Sequence, residues 1–310
     1  MKIVLYTEEK ENEWNEFVKN AKNSLFMFNR SFMEYHKDRF TDNSLLFYED
    51  EELVALLPAS IKENRLYSHG GLTYGGFITS TKMKQHHMNE CFVCLKEYMK
   101  QNKIEGILYK TIPYIYHKQC AQEDIYSLFV NGAAIEKIEP ATVINLKDPL
   151  KMPKGRKAQV SRAKREGVEI VESTDFNAFI ELENSVLSEH HNTKAVHTGE
   201  ELELLHNRFP ENIKLYAAMY KGKMIAGTVL FIYDTVVHTQ YLAANDEARE
   251  IGALDYVVAS VIEKYKETKA YLDFGISSEE GGKVLNEGLI FQKEGFGGRT
   301  IVYQTFSMNA

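Results

Sequence analysis

Cysteine is scarce in this chain. Cys91, Cys94 and Cys120 are its 3 cysteines in 310 residues, too few for a disulfide framework. Cys91 and Cys94 have a spacing used by redox and zinc sites. They stand in a helical pattern with no second pair, so neither role is expected. The sequence also lacks an apolar run near the roughly 20 residues that a membrane-spanning helix needs. Its start, MKIVLYT, reads as a strand and not as a secretory leader, so the expectation is a cytoplasmic protein with no membrane span. Positive charge is not in excess: the net charge is −7, and the surface as a whole does not advertise nucleic-acid binding. A metal-ligand pattern is missing too. His190, His191 and His197, with Glu189, lack a helical i, i+4 pair such as HExxH, and no metal is expected.

What is present describes a folded protein. Hydrophobic residues make up 44% and charged residues 26%, as in globular domains, and the length suits two of them. The first half reads as strand 2–6, helix 11–21 with Trp14, Phe17 and Val18 on one face, and a second helical region over 26–40. Strands 44–48 and 52–58 follow, joined by an acidic turn at 49–51. Helix 83–101, strand 103–109, helix 123–131 and a strand pair over 133–146 complete it. Between them stands SHGGLTYGG, 68–76, whose four glycines permit tight turns or close approach of backbone to a ligand. A phosphate cradle should run straight into a helix, and this segment does not. His69 and Tyr74 are the side chains there most able to meet a substrate.

Pro149 and Pro153 do not continue a helix or a central strand, so the domains are expected at 1–150 and 151–310. A basic helix follows, stopped by Gly167. Lys151, Lys154, Arg156, Lys157, Arg162, Lys164 and Arg165 occur there with no acid between them. In a chain of net negative charge this is either a solvated face or a cradle for an anion: a nucleotide, a phosphorylated carrier or an RNA backbone.

The second half begins with strand 168–172 and helix 175–190. Thr198 and Glu201 form a capping box for helix 199–209, with His197 just before it. Strands 213–220, 224–233 and 236–244 form a meander, followed by a polar loop over 245–254 and helix 253–268. Strand 271–275 must then lie parallel to the earlier strand, because a helix crosses between them. A turn over 276–282, helix 283–293 stopped by Gly295, and strand 300–306 close the unit. The two halves share an element order, which points to a duplicated α/β domain (α+β, with a mixed sheet) and not a Rossmann sheet.

This order, with VHTQYLAANDEAREIGALDYVVASVIE, YLDFG and KVLNEGLIFQKEGF, resembles the GNAT acyltransferase fold. The basic helix with RAKREGVEI, the DFG and the closing KEGFGGR resemble the tandem-GNAT proteins of the Fem-type group, which carry two GNAT-like domains in one chain. The resemblance implies an acyltransferase using acetyl-CoA or another acyl-CoA, without a metal, on an amine of a sugar or other small cell-envelope precursor. It implies pyrophosphate binding at the start of the third helix by Arg249, Gly252 and Ala253, although Leu254 and Asp255 depart from the usual pattern. It places the oxyanion donor near Tyr241, Leu242 and Ala243. Phe291 stands where many GNAT enzymes have a proton-donating tyrosine, a departure that the Fem-type branch resembles.

An amine that attacks an acyl group must lose a proton. His238 and Glu279 are the candidate bases, followed by His197. Lys293 adds positive charge. Asp273, Ser277, Asn286 and Tyr241 would orient substrate. The other readings are a Fem-like transferase drawing on aminoacyl-tRNA, which the basic helix and Phe291 favour, and a non-catalytic binding protein with the same shell.

Overall fold

The computed structural model describes residues 1–191 and 194–310, without the side chains of 189–191. The chain forms two compact units, Met1–Glu139 with Val302–Ala310, and Pro140–Ile301. The division expected at 150 therefore falls inside the second unit. The expected strand pair over 133–146 is one strand, Ala134–Asn145, which carries the chain from the first unit into the second. Strand Arg299–Asn309 carries it back, because 305–309 pairs antiparallel with Gly106–Lys110.

In the first unit, Lys2–Leu5, Leu45–Glu49, Glu52–Leu57 and Ile78–Thr79 make an antiparallel sheet. Strand Gly106–Lys110 pairs in parallel with Arg65–Tyr67, which forms a hairpin with Ser60–Lys62. Sequence periodicity did not announce that hairpin, whose strands are too short to show alternation. Helix Gln85–Gln101 buries Met88, Phe92 and Leu95 in a core with Phe47, Leu57, Phe77 and Tyr109. The expected helical region over 26–40 is broken: helix Arg30–Met33 lies between two 3-10 turns, and His36 leaves helical geometry.

The second unit is a mixed sheet in the order Glu169–Ser173, Ile213–Tyr220, Lys223–Ile232, Val236–Ala244, Tyr271–Ile276 and the later half of Ala134–Asn145. Tyr271–Ile276 runs parallel to Val236–Ala244, as the crossing helix Ala253–Tyr265 requires. That helix and the basic helix Lys154–Glu166 pack on the face carrying Ala226, Leu230, Ile232 and Val237. Side chains alternate across a sheet, and on the opposite face Phe179 of helix Phe176–His191 meets Gly227. Helix Gly199–Arg208 opens on the expected capping box of Thr198 and Glu201.

Two expectations in this unit are corrected. Residues 246–251 are not a loop but a helix, Asp246–Ile251, started by Asn245 Oδ1 accepting the Ala248 N–H at 2.9 Å. The helix expected from 283 starts at Glu287, because Asn286 Oδ1 caps the Leu289 N–H at 2.9 Å. Ahead of it Ser278–Glu279 and Val284–Leu285 pair as a small hairpin around the left-handed Gly281 and Gly282.

Candidate active site

The second unit's sheet opens along one seam. Val236–Ala244 and Tyr271–Ile276 pair at Val236–Tyr271, Val237–Leu272 and His238–Asp273, and no further. Beyond His238 the first strand stays with Lys223–Ile232, and its register shifts so that Thr239 opposes Leu230 while Tyr241 opposes Val229. Gln240 is the extra residue of that bulge. The other strand follows 141–145. Past His238 and Asp273 each strand therefore turns an edge without a partner strand toward the opening, where backbone groups can meet a ligand.

Buried polar groups gather at this opening. Asp273 is fully buried, its Oδ1 accepts the Gly275 N–H at 2.7 Å, and its Oδ2 lies 3.6 Å from His238 Nδ1. Gly275 has φ +71°, and a Cβ there would stand 3.2 Å from the His238 ring. Glycine is needed on both counts. Lys293, 7% exposed, donates from Nζ to Gly275 O at 3.1 Å and to Ile276 O at 2.6 Å. Burial pushes its ammonium down to about 8, against the opposing pull of Asp273. Ser277 Oγ and Gln240 Oε1 are buried with no hydrogen-bond partner among the described residues, a state that ordinarily calls for a ligand or water. Of the residues expected from sequence, His238, Asp273 and Lys293 are thus brought together.

Further along the same strand, the Tyr241 hydroxyl accepts the His197 N–H at 3.2 Å and lies 2.6 Å from His197 Nδ1. Burial pushes the Tyr241 phenol up to about 12. Glu183, which was not expected, belongs to this group. Its charge acts on the Tyr241 phenol, it is 8% exposed, and burial alone pushes its carboxyl up to about 7. The signal was present in the sequence: Phe176, Phe179, Ile180 and Glu183 share one helical face, and a carboxylate within an apolar stripe is unusual.

Other expected residues stand elsewhere. Glu279 is exposed and accepts from Asn286 Nδ2 at 2.7 Å, while Asn286 Oδ1 caps a helix, so both ends of that amide are engaged. Leu242 packs toward the core, and Ala243 is buried. Tyr74 lies within the first unit, its hydroxyl bonded to those of Tyr116 at 2.6 Å and Tyr303 at 2.7 Å, and it is 1% exposed. It is a core residue there. His69 lines a first-unit cavity of about 310 Å³ with Tyr6, Arg30, Glu34, Phe40 and Asp42, and burial pushes it down to about 3. The side chains of Glu189, His190 and His191 lie outside the described residues. Among the described residues no three His, Cys, Asp or Glu side chains group as a metal site, and no helix is long and apolar enough to cross a membrane.

The helix start that would cradle a pyrophosphate is crowded by its neighbours. The N–H of Gly252 goes to Ala248 O, that of Arg249 to Asn245 O at 3.0 Å, and that of Ala248 to Asn245 Oδ1. Arg249 pairs with Asp246 at 3.1 Å. Gln159 of the basic helix lies so close that a Cβ on Gly252 would stand 2.6 Å from its carbonyl oxygen. Asp255 occupies the first turn of helix Ala253–Tyr265 and pairs with Arg156 at 2.9 Å. A carboxylate in that first turn and the close packing of Gln159 on Gly252 both disfavour a pyrophosphate there. Arg156 also reaches Gln292 O and stacks on Phe296. Lys151, Lys154, Lys157, Arg162, Lys164 and Arg165 are exposed.

The family model for the acetyltransferase (GNAT) domain matches residues 154–281. No curated protein matches the chain. Among solved structures the chain is similar to FemX, at 12% identity and a TM-score of 0.69 over 100% of this chain and 98% of that one. It is similar to L-PGS from Bacillus licheniformis, at 13% identity and a TM-score of 0.64 over 97% and 91%. A tandem GNAT protein from the clavulanic acid biosynthesis pathway aligns at 8% identity and a TM-score of 0.54 over 99% and 98%. At these identities the likeness is one of fold. Residues 154–281 match the acetyltransferase (GNAT) domain, and the fold of the chain is that of tandem GNAT proteins.

Proposed function

We propose that the chain transfers an aminoacyl group from an aminoacyl-tRNA to a primary amine of a sugar or other small cell-envelope precursor, as a Fem-like transferase. The observation that carries this reading is the crowded start of helix Ala253–Tyr265, where Gln159 packs against Gly252 and Asp255 pairs with Arg156; the sequence resemblance assigns the coenzyme A pyrophosphate to that helix start. The six exposed cations of 151–165 offer a surface for a polyanion instead, and the similarity to FemX points the same way.

In this reading the acyl carbon sits at the opening beyond His238 and Asp273. The amine attacks, and N–H groups of 241–243 face the developing oxyanion. Lys293 lends positive charge to the same region. The departing oxygen belongs to a ribose whose neighbouring hydroxyl can supply a proton, so position 291 needs no acid. Phe291, 77% exposed, has none to give. A second reading, acetyl transfer from acetyl-CoA, is favoured by the sequence pattern of Arg249, Gly252 and Ala253.

Calorimetry with acetyl-CoA and anisotropy with bulk tRNA separate the two. We expect no saturable heat with acetyl-CoA at millimolar concentration. We expect tRNA binding whose log affinity falls with log salt at a slope of about −4, if six cations each neutralise a phosphate. Replacing Lys154 and Arg162 by Glu should flatten that slope. Saturable acetyl-CoA binding without tRNA binding would overturn the aminoacyl reading in favour of the second.

A further inference from the structure

We propose that Glu183 and Tyr241, with His197 holding the phenol, form the subsite that receives the acceptor's primary ammonium group, and that Glu183 is the base that takes its proton. The use made of the amine afterwards rests on the acyl-transfer reading; the subsite itself does not.

The argument starts from an unbalanced charge. Buried carboxylates in proteins are paired or hydrogen-bonded, because desolvation penalises a lone one. The second unit obeys this elsewhere. Asp255 has Arg156, and Asp273 has the Gly275 N–H. Glu183, 8% exposed, has no hydrogen bond or ion pair among the described residues, and burial is the one influence raising its pKa. A ligand ammonium would supply the missing partner.

The surroundings suit that ligand. The helix carrying Glu183 packs on strands Lys223–Ile232 and Val236–Ala244 and against helix Gly199–Arg208. From the first strand come Gly227, Val229 and Phe231, all apolar. The second presents Tyr241 and, nearer the opening, His238. From the neighbouring helix come Leu202 and Leu205, with His206 beside Phe176 at the far end, 5.3 Å ring to ring. None of these brings a fixed positive charge to Glu183. Tyr241 is anchored by both His197 contacts and lies on the strand that passes the opening, so an amine held there is next to the acyl carbon.

The step balances. The ammonium gives one proton to the Glu183 carboxylate and becomes a neutral amine. Its lone pair forms the N–C bond, and the C–O bond to the ribose breaks with its electron pair on oxygen. The amine's second proton ends on that oxygen, and Glu183 returns its own proton to water. A base poised near neutrality is suited to this exchange.

The test uses the full chain labelled with ¹³C at glutamate side-chain carboxyls. Glu183→Gln identifies the Glu183 resonance, and Glu183→Asp does so if the first variant does not fold. We expect a titration midpoint of about 7. n-Propylammonium chloride should lower it by about one unit, equivalent to about tenfold tighter amine binding to the ionised carboxylate. Tetramethylammonium chloride, which has no N–H, should leave it in place. A midpoint unmoved by n-propylammonium, or moved equally by both salts, overturns the proposal. Because no acyl donor is present, a failure of tRNA binding and a failure of this subsite are read separately.

Discussion

At the scale of single residues, Lys293 shows how burial and chemistry are linked. Its folded pKa of about 8 lies below the ordinary 10.5. Between those values the unfolded chain holds a proton that the folded chain has released. Stability from this group therefore rises with pH across that window, and below about 8 the buried ammonium is a constant cost. In the proposed reaction activity should run the other way, since the charge that Lys293 would lend to the oxyanion disappears. We expect the rate to fall above pH about 8. Lys293→Arg should move that limb upward, and Lys293→Met should lower kcat by about 10²–10³-fold. A pH–rate profile of the three proteins checks this. Lys293 and Asp273 stood out in sequence through the KEGF and DFG resemblance, and His238 as a candidate base on the strand Val236–Ala244. Glu183 did not, because a helix pattern was read for its apolar members and the one acid among them passed as ordinary. Tyr74 misled for a related reason: a tyrosine in a glycine-rich segment looks available until the partners of its hydroxyl, remote in sequence, are known.

At the scale of elements, periodicity located the long helices and strands well, and local polarity located the short ones poorly. NDEARE offers no apolar period over its six residues, so its helix read as loop. The late start of the last helix turned on which residue caps it. The contact between the basic helix and helix Ala253–Tyr265 is a tertiary fact that no local pattern encodes, yet it sets how crowded the helix start is. Gly252 is where that contact is most exacting. Its φ of +79° and its approach to Gln159 both exclude a side chain. Gly252→Ala should cost about 1–2 kcal/mol from the left-handed backbone alone, and more from displacing Gln159. Chemical denaturation, with the midpoint compared at unchanged slope, measures the loss.

At the scale of the whole molecule, duplication was visible in the repeated element order, while the boundary between units was not. Prolines at 149 and 153 marked a place where regular structure pauses. The units are defined by which strands pair, a long-range property. Phe306 and Met308, 7% and 1% exposed, belong to the first unit's core although they follow the entire second unit in sequence. Ending the chain after Ile301 should remove that packing, at roughly 2–5 kcal/mol for each buried side chain. Hydrogen exchange should then show lost protection at Gly106–Lys110 and retained protection in Val236–Ala244.

The return of 302–310 to the first unit also sets an order of events during synthesis. A ribosome delivers Pro140–Ile301 complete before it has made the strand that closes Met1–Glu139. The unit carrying the candidate site can therefore fold first. The unit that begins the chain waits with the edge of Gly106–Lys110 uncovered until its closing strand emerges.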